Sequence, residues 1–210
     1  MPLLTAAPFL LPARVARRLR ARRLALALAR VVAIAVLSSP PSAYAAAVRA
    51  AVTSEYDLKA AFLFNFAQFV EWPADAFADA GTPIVIGVLG EDPFGKSLDD
   101  IVAGETVHNR PLAIRRFRAV DQVDSCQILF ISLSESARLD QVLKALEHRS
   151  ILTVGETKDF TTRAGIIGFE VTNRRLRLRI NTAAATAAKL TISSKLLRQA
   201  ETAESRSGRP

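Results

Sequence analysis

Residues Glu55–Pro73 read EYDLKAAFLFNFAQFVEWP, and this stretch decides how the rest of the 210-residue chain folds. It holds four of the eleven Phe residues, the single Trp and one of the two Tyr residues. Its apolar side chains recur at i, i+4, i+7 and i+8, which is helical spacing, and a second apolar face lies beside them. A helix this apolar needs burial on most of its circumference. We therefore predict that it forms the hydrophobic centre of one domain, through Phe62, Phe66, Phe69 and Val70.

Polar residues within the same stretch argue against a transmembrane helix. Lys59, Asn65 and Gln68 interrupt the apolar pattern, and acidic residues stand near both ends. A membrane span needs about 20 consecutive, mostly apolar residues, which this segment does not supply. The helix is therefore predicted to be buried in protein rather than in lipid.

The beginning of the chain has the composition of a secretory signal peptide. Residues 1–23 carry six arginines and no acidic residue, and residues 24–37 form an apolar core that only one arginine interrupts. Small residues follow, and two A-x-A patterns place cleavage near Ala45 or Ala47. An uncleaved membrane anchor is the alternative. Cleavage and export to the periplasm are the prediction.

Removal of this leader changes the charge of the protein. Without its seven arginines, the formal net charge of +8 falls to +1, so the sequence gives no sign of a nucleic-acid-binding surface. We predict three regions: a cleaved signal peptide at 1–47, one folded domain at 48–200 and a disordered polar tail at 201–210.

The only cysteine of the chain, Cys126, cannot form an internal disulfide. It stands at the start of an apolar run, which predicts a buried side chain. An intermolecular disulfide is the alternative, because an unpaired cysteine in an exported protein can join two subunits.

The remaining chain alternates between predicted strands and predicted helices. Apolar runs with β-branched residues indicate buried parallel strands, and short amphipathic segments between them indicate crossover helices. The expected fold is α/β: a single three-layer domain with a mainly parallel sheet, an antiparallel C-terminal hairpin and flanking helices. The predicted strands are 83–89, 111–118, 127–132, 151–154, 166–171 and 175–180, and the predicted helices after the first are 95–103, 135–147 and 183–197. Asn173 marks the hairpin turn, and Asn181 or Thr182 caps the last helix.

One motif matches a phosphate-binding loop in form. Residues Gly90–Ser97 follow the pattern G-x-x-x-x-G-K-[ST] between a predicted strand and a predicted helix. However, Pro93 has no N–H to offer a phosphate, and Glu91 and Asp92 would repel one. A simple turn, with Asp92 or Asp92-Pro93 capping the helix, is favoured over a P-loop nucleotide-binding enzyme.

Other catalytic and metal-binding patterns are weak. The two histidines, His108 and His148, lack the spacing of zinc ligands, and no G-x-S-x-G motif would activate a serine. Ser193-Ser194-Lys195 contains a Ser and a Lys, but because Lys195 immediately follows Ser194, their side chains would point in different directions on a helix. We therefore predict no enzymatic activity, no cofactor and no metal.

Two polar stripes on otherwise apolar helices are the candidate partner-binding residues. Asn65, Gln68 and Glu71 form the stripe of the first helix, and Lys195 and Arg198 form that of the last. Ordinary solvated faces are the alternative interpretation. A different candidate is a small-ligand crevice at the carboxyl ends of the parallel strands, near 89–90, Ser132 and Gly155.

Six segments, taken in chain order, resemble the YfiR-type periplasmic proteins and span nearly the whole mature chain. They are KAAFLFNFAQFVEWP at 59–73, IGVLGEDPFG at 86–95, CQILFIS at 126–132, ILTVGE at 151–156, GIIGFEVTNRRLRLRIN at 165–181 and ISSKLLR at 192–198. The resemblance implies a regulator that represses an inner-membrane diguanylate cyclase by contact with its periplasmic sensor region. It also implies sequestration of the repressor by an outer-membrane lipoprotein, a homodimer, and a link to biofilm formation. Other members of the family are associated with other membrane sensors. Redox control through intramolecular disulfides, which occurs in the family, is not available to a chain whose one cysteine is Cys126.

Overall fold

The structure, a computed structural model, describes the backbone of residues 41–173 and 175–205, and the side chains of residues 55–173 and 175–200. The predicted leader up to residue 40 and the end of the predicted tail lie outside the described residues. Signal-peptide cleavage therefore stays a prediction.

Five α-helices and nine strands make up the described chain. The helices are α1 (Pro41–Phe69), α2 (Lys96–Val102), α3 (Leu139–Ala145), α4 (Thr182–Ala187) and α5 (Ser194–Ser205). The strands are β1 (Val70–Glu71), β2 (Ile84–Leu89), β3 (Thr106–Val107), β4 (Arg110–Phe117), β5 (Ile128–Ile131), β6 (Leu152–Gly155), β7 (Ile167–Thr172), β8 (Arg175–Ile180) and β9 (Thr191–Ile192). Within the described residues, no helix combines the length and the apolar character needed to cross a membrane.

Seven strands form one sheet in the order β3-β4-β2-β5-β6-β7-β8. The central strands β4, β2, β5, β6 and β7 run parallel, while β3 and β8 pair antiparallel with their neighbours at the two edges. The remaining strands, β1 and β9, pair with each other. The predicted α/β fold, with its parallel sheet and C-terminal hairpin, is confirmed. The hairpin turns at Asn173, whose φ of 53° lies in the left-handed region that Asn tolerates.

Each face of the sheet carries its own apolar core. Alternate residues of β2 divide between them: Ile84, Ile86 and Val88 pack on the side of α1, and Val85 and Leu89 pack on the side of α3. This alternation follows from the two-residue period of a strand. Because helices cover both faces of the sheet, both faces of its central strands are buried. This burial accounts for the continuous apolar runs in the sequence.

Helix α1 and the residue that follows it bury both predicted apolar faces, but unequally. Leu63, Phe66 and Val70 are fully buried, whereas Phe62 and Phe69 are only partly buried and pack against the margin of the core. The main packing face therefore combines Leu63 of the second predicted face with Phe66 and Val70 of the first. Phe62 and Phe69 flank it and reach the surface of the domain.

The prediction of one long C-terminal helix is wrong. The Asn181 side chain caps α4 by accepting a hydrogen bond from the Ala184 N–H at 2.9 Å, but α4 ends at Ala187, and Lys189 adopts a φ of 57°. The chain then forms β9, in which Ile192 pairs with Val70 of β1. This strand pairing holds the chain extended, so α5 begins as a separate helix at Ser194.

Two further helix predictions need correction. The segment predicted as one helix at 135–147 begins as a 3₁₀ helix, Leu133–Arg138, and becomes α-helical only in α3. Asp92 does not cap α2, whose N-cap residue is Gly95. Its carboxylate instead accepts hydrogen bonds from the Phe94 N–H at 2.8 Å and from Arg116 at 2.7 Å, which fixes the preceding turn.

Cys126 is buried in the core on the α3 side, as predicted. Burial raises the pKa of its thiol to about 12. The thiol is therefore protonated at neutral pH, which favours a packing role over a reactive or intersubunit cysteine.

Candidate functional site

A buried polar cluster connects the middle of α1 to the carboxyl end of β6. It consists of Glu55, Tyr56 and Lys59 on the helix and Glu156, which directly follows the strand. The Lys59 residue is 2% exposed and the Glu156 side chain is 7% exposed. A charge at this depth is costly unless it is paired and hydrogen-bonded, so the contacts of these two groups matter.

The contacts of Lys59 satisfy its charge from three sides. Its Nζ donates to Glu156 Oε2 and to Glu55 Oε1, the latter at 2.5 Å. The same nitrogen lies 4.4 Å from the centre of the Tyr56 ring, in a cation–π arrangement. The Tyr56 hydroxyl donates to Glu156 Oε1 at 2.9 Å. Both oxygens of Glu156 are therefore engaged, which leaves the carboxylate with a structural role rather than one in acid–base chemistry.

The surroundings of Tyr56 keep its hydroxyl protonated. Burial raises the pKa of Tyr56 above its ordinary value, and the negative charge of Glu156 raises it further. The ring also packs edge-on against Phe94, with centroids 5.6 Å apart, and Phe94 in turn contacts Phe130 of β5. This chain of rings connects the polar cluster to the core of the sheet.

The sequence interpretation missed this cluster, because it treated Lys59 only as a break in the apolar pattern. A usable signal was present. Lys59 precedes Leu63, Phe66 and Val70 at helical spacing and therefore belongs to the face that is buried. A buried lysine requires an acidic partner, but its identity, Glu156, depends on a contact across 97 residues.

An open groove lies on the same side of the sheet as α1. It is bounded by α1 and α5, its floor is formed by β8, and its volume is about 1010 Å³. Three of the five predicted partner-binding residues, Asn65, Lys195 and Arg198, line it together. The other described lining residues are Phe62, Phe69, Leu176, Arg177, Leu178 and Gln199.

The other two predicted partner-binding residues do not line this groove. Gln68 is exposed on α1, and Glu71 lies in β1, where it pairs with Thr191. The predicted stripe along the first helix is therefore divided. Its Asn65 position turns toward α5, while Glu71 has already left the helix.

A family model that covers the groove residues and all of the polar cluster except Glu55 identifies the family of the protein. The model of the YfiR/HmsC-like family matches residues 56–201, which is more than half of the chain. The chain belongs to the YfiR/HmsC-like family. This family comprises periplasmic regulators in cyclic di-GMP signalling and is regulatory rather than catalytic. No curated protein matches the chain significantly.

The carboxyl ends of the central strands of this YfiR/HmsC-like domain are closely packed. A Cβ atom at Gly90 would come within 2.3 Å of Ser134 Oγ, and one at Gly155 would come within 2.4 Å of the Phe160 ring. The Glu91 N–H also donates to Ser134 Oγ at 2.9 Å. Side chains of the chain itself therefore occupy the crevice in which the sequence suggested a small ligand.

The loop that matches a phosphate-binding motif is held by ion pairs. Arg116 of β4 donates to Asp92 and to Asp99, each at 2.7 Å. The hydrogen bond from Arg116 lowers the pKa of the Asp99 carboxyl, and the two carboxylates raise the pKa of Arg116. Because Asp92 also takes the Phe94 N–H, a carboxylate already stands where a phosphate would bind.

The described side chains also lack a metal-binding arrangement. No group of three or more His, Cys, Asp or Glu residues in this part of the YfiR/HmsC-like chain is placed to hold a metal ion. The groove is the surface that three of the predicted partner-binding residues share.

Proposed function

We propose that this YfiR/HmsC-like protein is a periplasmic repressor of an inner-membrane diguanylate cyclase. It acts by binding the periplasmic sensor region of the cyclase, and in this way lowers cyclic di-GMP and biofilm formation. Membership in a family of periplasmic cyclic di-GMP regulators supports this proposal. The predicted signal peptide supplies the route to the compartment.

The groove is the proposed contact surface for the cyclase. The observation that carries this assignment is that Asn65, Lys195 and Arg198, which belong to two helices far apart in sequence, line one concave surface. Half-buried Phe62 and Phe69 add apolar area beside these polar groups. Aromatic and arginine side chains around a concave surface are typical of protein-binding sites.

Two further partners belong to the same proposal. An outer-membrane lipoprotein would sequester the repressor and release the cyclase, and the protein would form a homodimer. Since Cys126 is buried and is the only cysteine, the release signal would act through protein contacts rather than through a disulfide within the chain.

Deletion of the gene and measurement of cellular cyclic di-GMP test the proposal. Loss of the repressor should raise cyclic di-GMP, and the wild-type chain should restore the low level. The Lys195→Glu/Arg198→Glu variant should be exported in equal amount but should fail to restore it. The matched control is Arg118→Glu/Lys158→Glu, which makes the same change in net charge at exposed positions outside the groove and should restore repression. If deletion leaves cyclic di-GMP unchanged, and a pull-down with the protein recovers no membrane partner, the cyclase is excluded as the target.

A second candidate function is a small-ligand sensor, which a pocket elsewhere in the domain favours. This pocket, of about 340 Å³, lies between the end of α3 and α4 and has apolar walls that include Leu146, Ile151 and Ile166. The non-glycine residues His148 and Ala164 line it with φ values of 64° and 73°, a strained conformation that often marks ligand sites. Native mass spectrometry of the purified protein would show a retained metabolite. Its absence would count against a sensor.

A further inference from the structure

We infer that the pocket between the end of α3 and α4 binds a small carboxylic acid with an apolar body. This inference rests on the second candidate function, the small-ligand sensor, because it specifies the chemical class of the ligand. The repressor proposal and its groove do not depend on it. The inference is carried by the size and place of the pocket, by its apolar walls, and by two donors in its lining.

The pocket lies at the amino ends of two neighbouring strands of the sheet. Ile151 directly precedes β6 and Ile166 directly precedes β7, and these two strands pair in parallel. Leu143 and Leu146, at the end of α3, also line the pocket. Its volume of about 340 Å³ falls within the range of about 300–1,000 Å³ for small-molecule pockets. The pocket therefore suits a small molecule rather than a segment of another protein.

Small side chains at α4 leave the space that the pocket occupies. Ala184 and Ala187 of α4 and Ala188, which caps its end, are spaced three and four residues apart and therefore share one face. These alanines and the larger apolar residues of the other walls make most of the lining hydrophobic. Such walls favour a ligand with an apolar body, because burial of apolar surface drives its binding.

A buried hydroxyl in the lining has a proton that it can donate. Thr153 of β6 is 5% exposed and lines the pocket. Its Oγ accepts a hydrogen bond from the Ile166 N–H at 3.0 Å, but among the described residues its own O–H donates to no acceptor. Buried polar groups are normally hydrogen-bonded, so this donor needs an acceptor. A carboxylate oxygen of a ligand would supply one.

The acidic residues that line the pocket each have a neighbour in the chain. The Asp140 carboxylate accepts from Arg163 Nε at 2.7 Å, which balances both charges. The Glu147 carboxylate lies 3.8 Å from His148 Nε2. The lining as a whole includes three Lys and Arg residues and these two acids, so cations are in excess.

The excess positive charge includes an exposed lysine. Arg149 donates to the backbone oxygen of Asp124 at 2.8 Å, a contact that does not neutralise its charge. Within the described part of the chain, the side chain of Lys144 makes no hydrogen bond or ion pair. Because Lys144 is exposed, it lies where the pocket opens to solvent. A carboxylate complements this cation, while the rest of the ligand occupies the apolar interior.

Three small amphiphiles and acids test this inference without knowledge of the natural ligand. Octanoate has a carboxylate and an apolar chain, protonated octylamine has the same chain with the opposite charge, and propanoate has the charge with little apolar surface. Isothermal titration calorimetry at neutral pH, below the concentrations at which these compounds form micelles, measures their binding to the purified protein. Octanoate should bind at a single site per chain, and the other two compounds should give no saturable heat.

Variants connect the signal to the pocket. Lys144→Glu should weaken octanoate binding by about tenfold or more, because an attractive charge becomes a repulsive one. Ala187→Trp, at an exposed position, places a large ring in the pocket and should abolish binding. The matched controls, Lys158→Glu and Ala183→Trp, change exposed residues outside the pocket and should bind as the wild type does. Circular dichroism of each variant establishes that a loss of binding is not a loss of folding.

Three outcomes would overturn the inference. A lack of octanoate binding would remove the proposed ligand class. Octylamine that binds as tightly as octanoate would show that charge does not select the ligand. Octanoate binding that neither Lys144→Glu nor Ala187→Trp weakens would place its site elsewhere.

Native mass spectrometry separates this inference from the sensor candidate on which it rests. A retained metabolite that is not a carboxylic acid, together with a lack of octanoate binding, would keep the sensor candidate and remove this inference alone. The cyclic di-GMP assay is separate again, because it tests the repressor proposal whether or not the pocket binds a ligand.

Discussion

Helix α1 carries two regions, about one turn apart, that treat charge in opposite ways. Lys59 is buried, and its charge is neutralised by Glu55 and Glu156 of the same domain. Asn65 and the half-buried Phe62 instead face a groove whose cations lie on α5 and β8. The first region stabilises the fold, and the second belongs to the surface that we propose as the contact with the cyclase.

The largest effect is expected from removal of the buried cation. Lys59→Met leaves the Glu156 carboxylate buried without its ammonium partner, which should lower the free energy of unfolding by about 3–5 kcal/mol. Urea denaturation followed by circular dichroism measures the change. The double variant Lys59→Met/Glu156→Gln should recover most of the loss, since the amide oxygen of Gln still accepts from the Tyr56 hydroxyl. A single variant as stable as the wild type would show that the cluster is not structural.

The second effect concerns the hydroxyl that completes the cluster. Tyr56→Phe keeps the ring contact with Phe94 but removes the hydrogen bond to Glu156. A hydrogen bond to a charged group contributes about 1.5–3 kcal/mol, so the free energy of unfolding should fall by that amount. Equal denaturation midpoints for the wild type and the Tyr56→Phe variant would contradict the assigned hydrogen bond.

The pH dependence of stability provides a smaller effect from the same group. The pKa of Tyr56 is raised in the folded state, mainly by burial and then by Glu156. The contribution of this group is therefore complete below the unfolded pKa of about 10, and it is lost as the pH rises toward the higher folded value. The stability of the wild type should fall more steeply above pH 10 than that of Tyr56→Phe. Parallel curves from pH 9 to 11 would show that the hydroxyl is not perturbed.

Different parts of the fold also differ in how far the sequence predicts them. The parallel strands were predictable because buried strands are continuous apolar runs, as in β2. The break between α4 and α5 was not, because the alanine-rich segment from Ala183 favours a helix, whereas the left-handed Lys189 and the pairing of Ile192 with Val70 interrupt it. Local propensity fails wherever a distant pairing decides the conformation.

The same limit applies to the site residues. Polar positions on apolar helices identified Asn65, Lys195 and Arg198 as surface residues of interest, but their meeting in one groove depends on how α5 packs on β8. The Lys59 cluster was missed for a related reason. A charged residue on a helix reads as solvated until its partner, here Glu156, is placed beside it by the fold.

The smallest effect on stability is expected at the groove. It tests most directly whether the groove, unlike the Lys59 cluster, contributes little to stability. Lys195→Glu/Arg198→Glu changes two exposed residues, and such changes usually alter the free energy of unfolding by no more than about 0.5 kcal/mol. At Lys195, in the first turn of α5, the helix dipole favours Glu over Lys. Thermal unfolding should therefore show a melting temperature close to that of the wild type, while repression is lost. A marked fall in melting temperature would mean that these cations stabilise the domain, as Lys59 does, and that the groove is not a recognition surface.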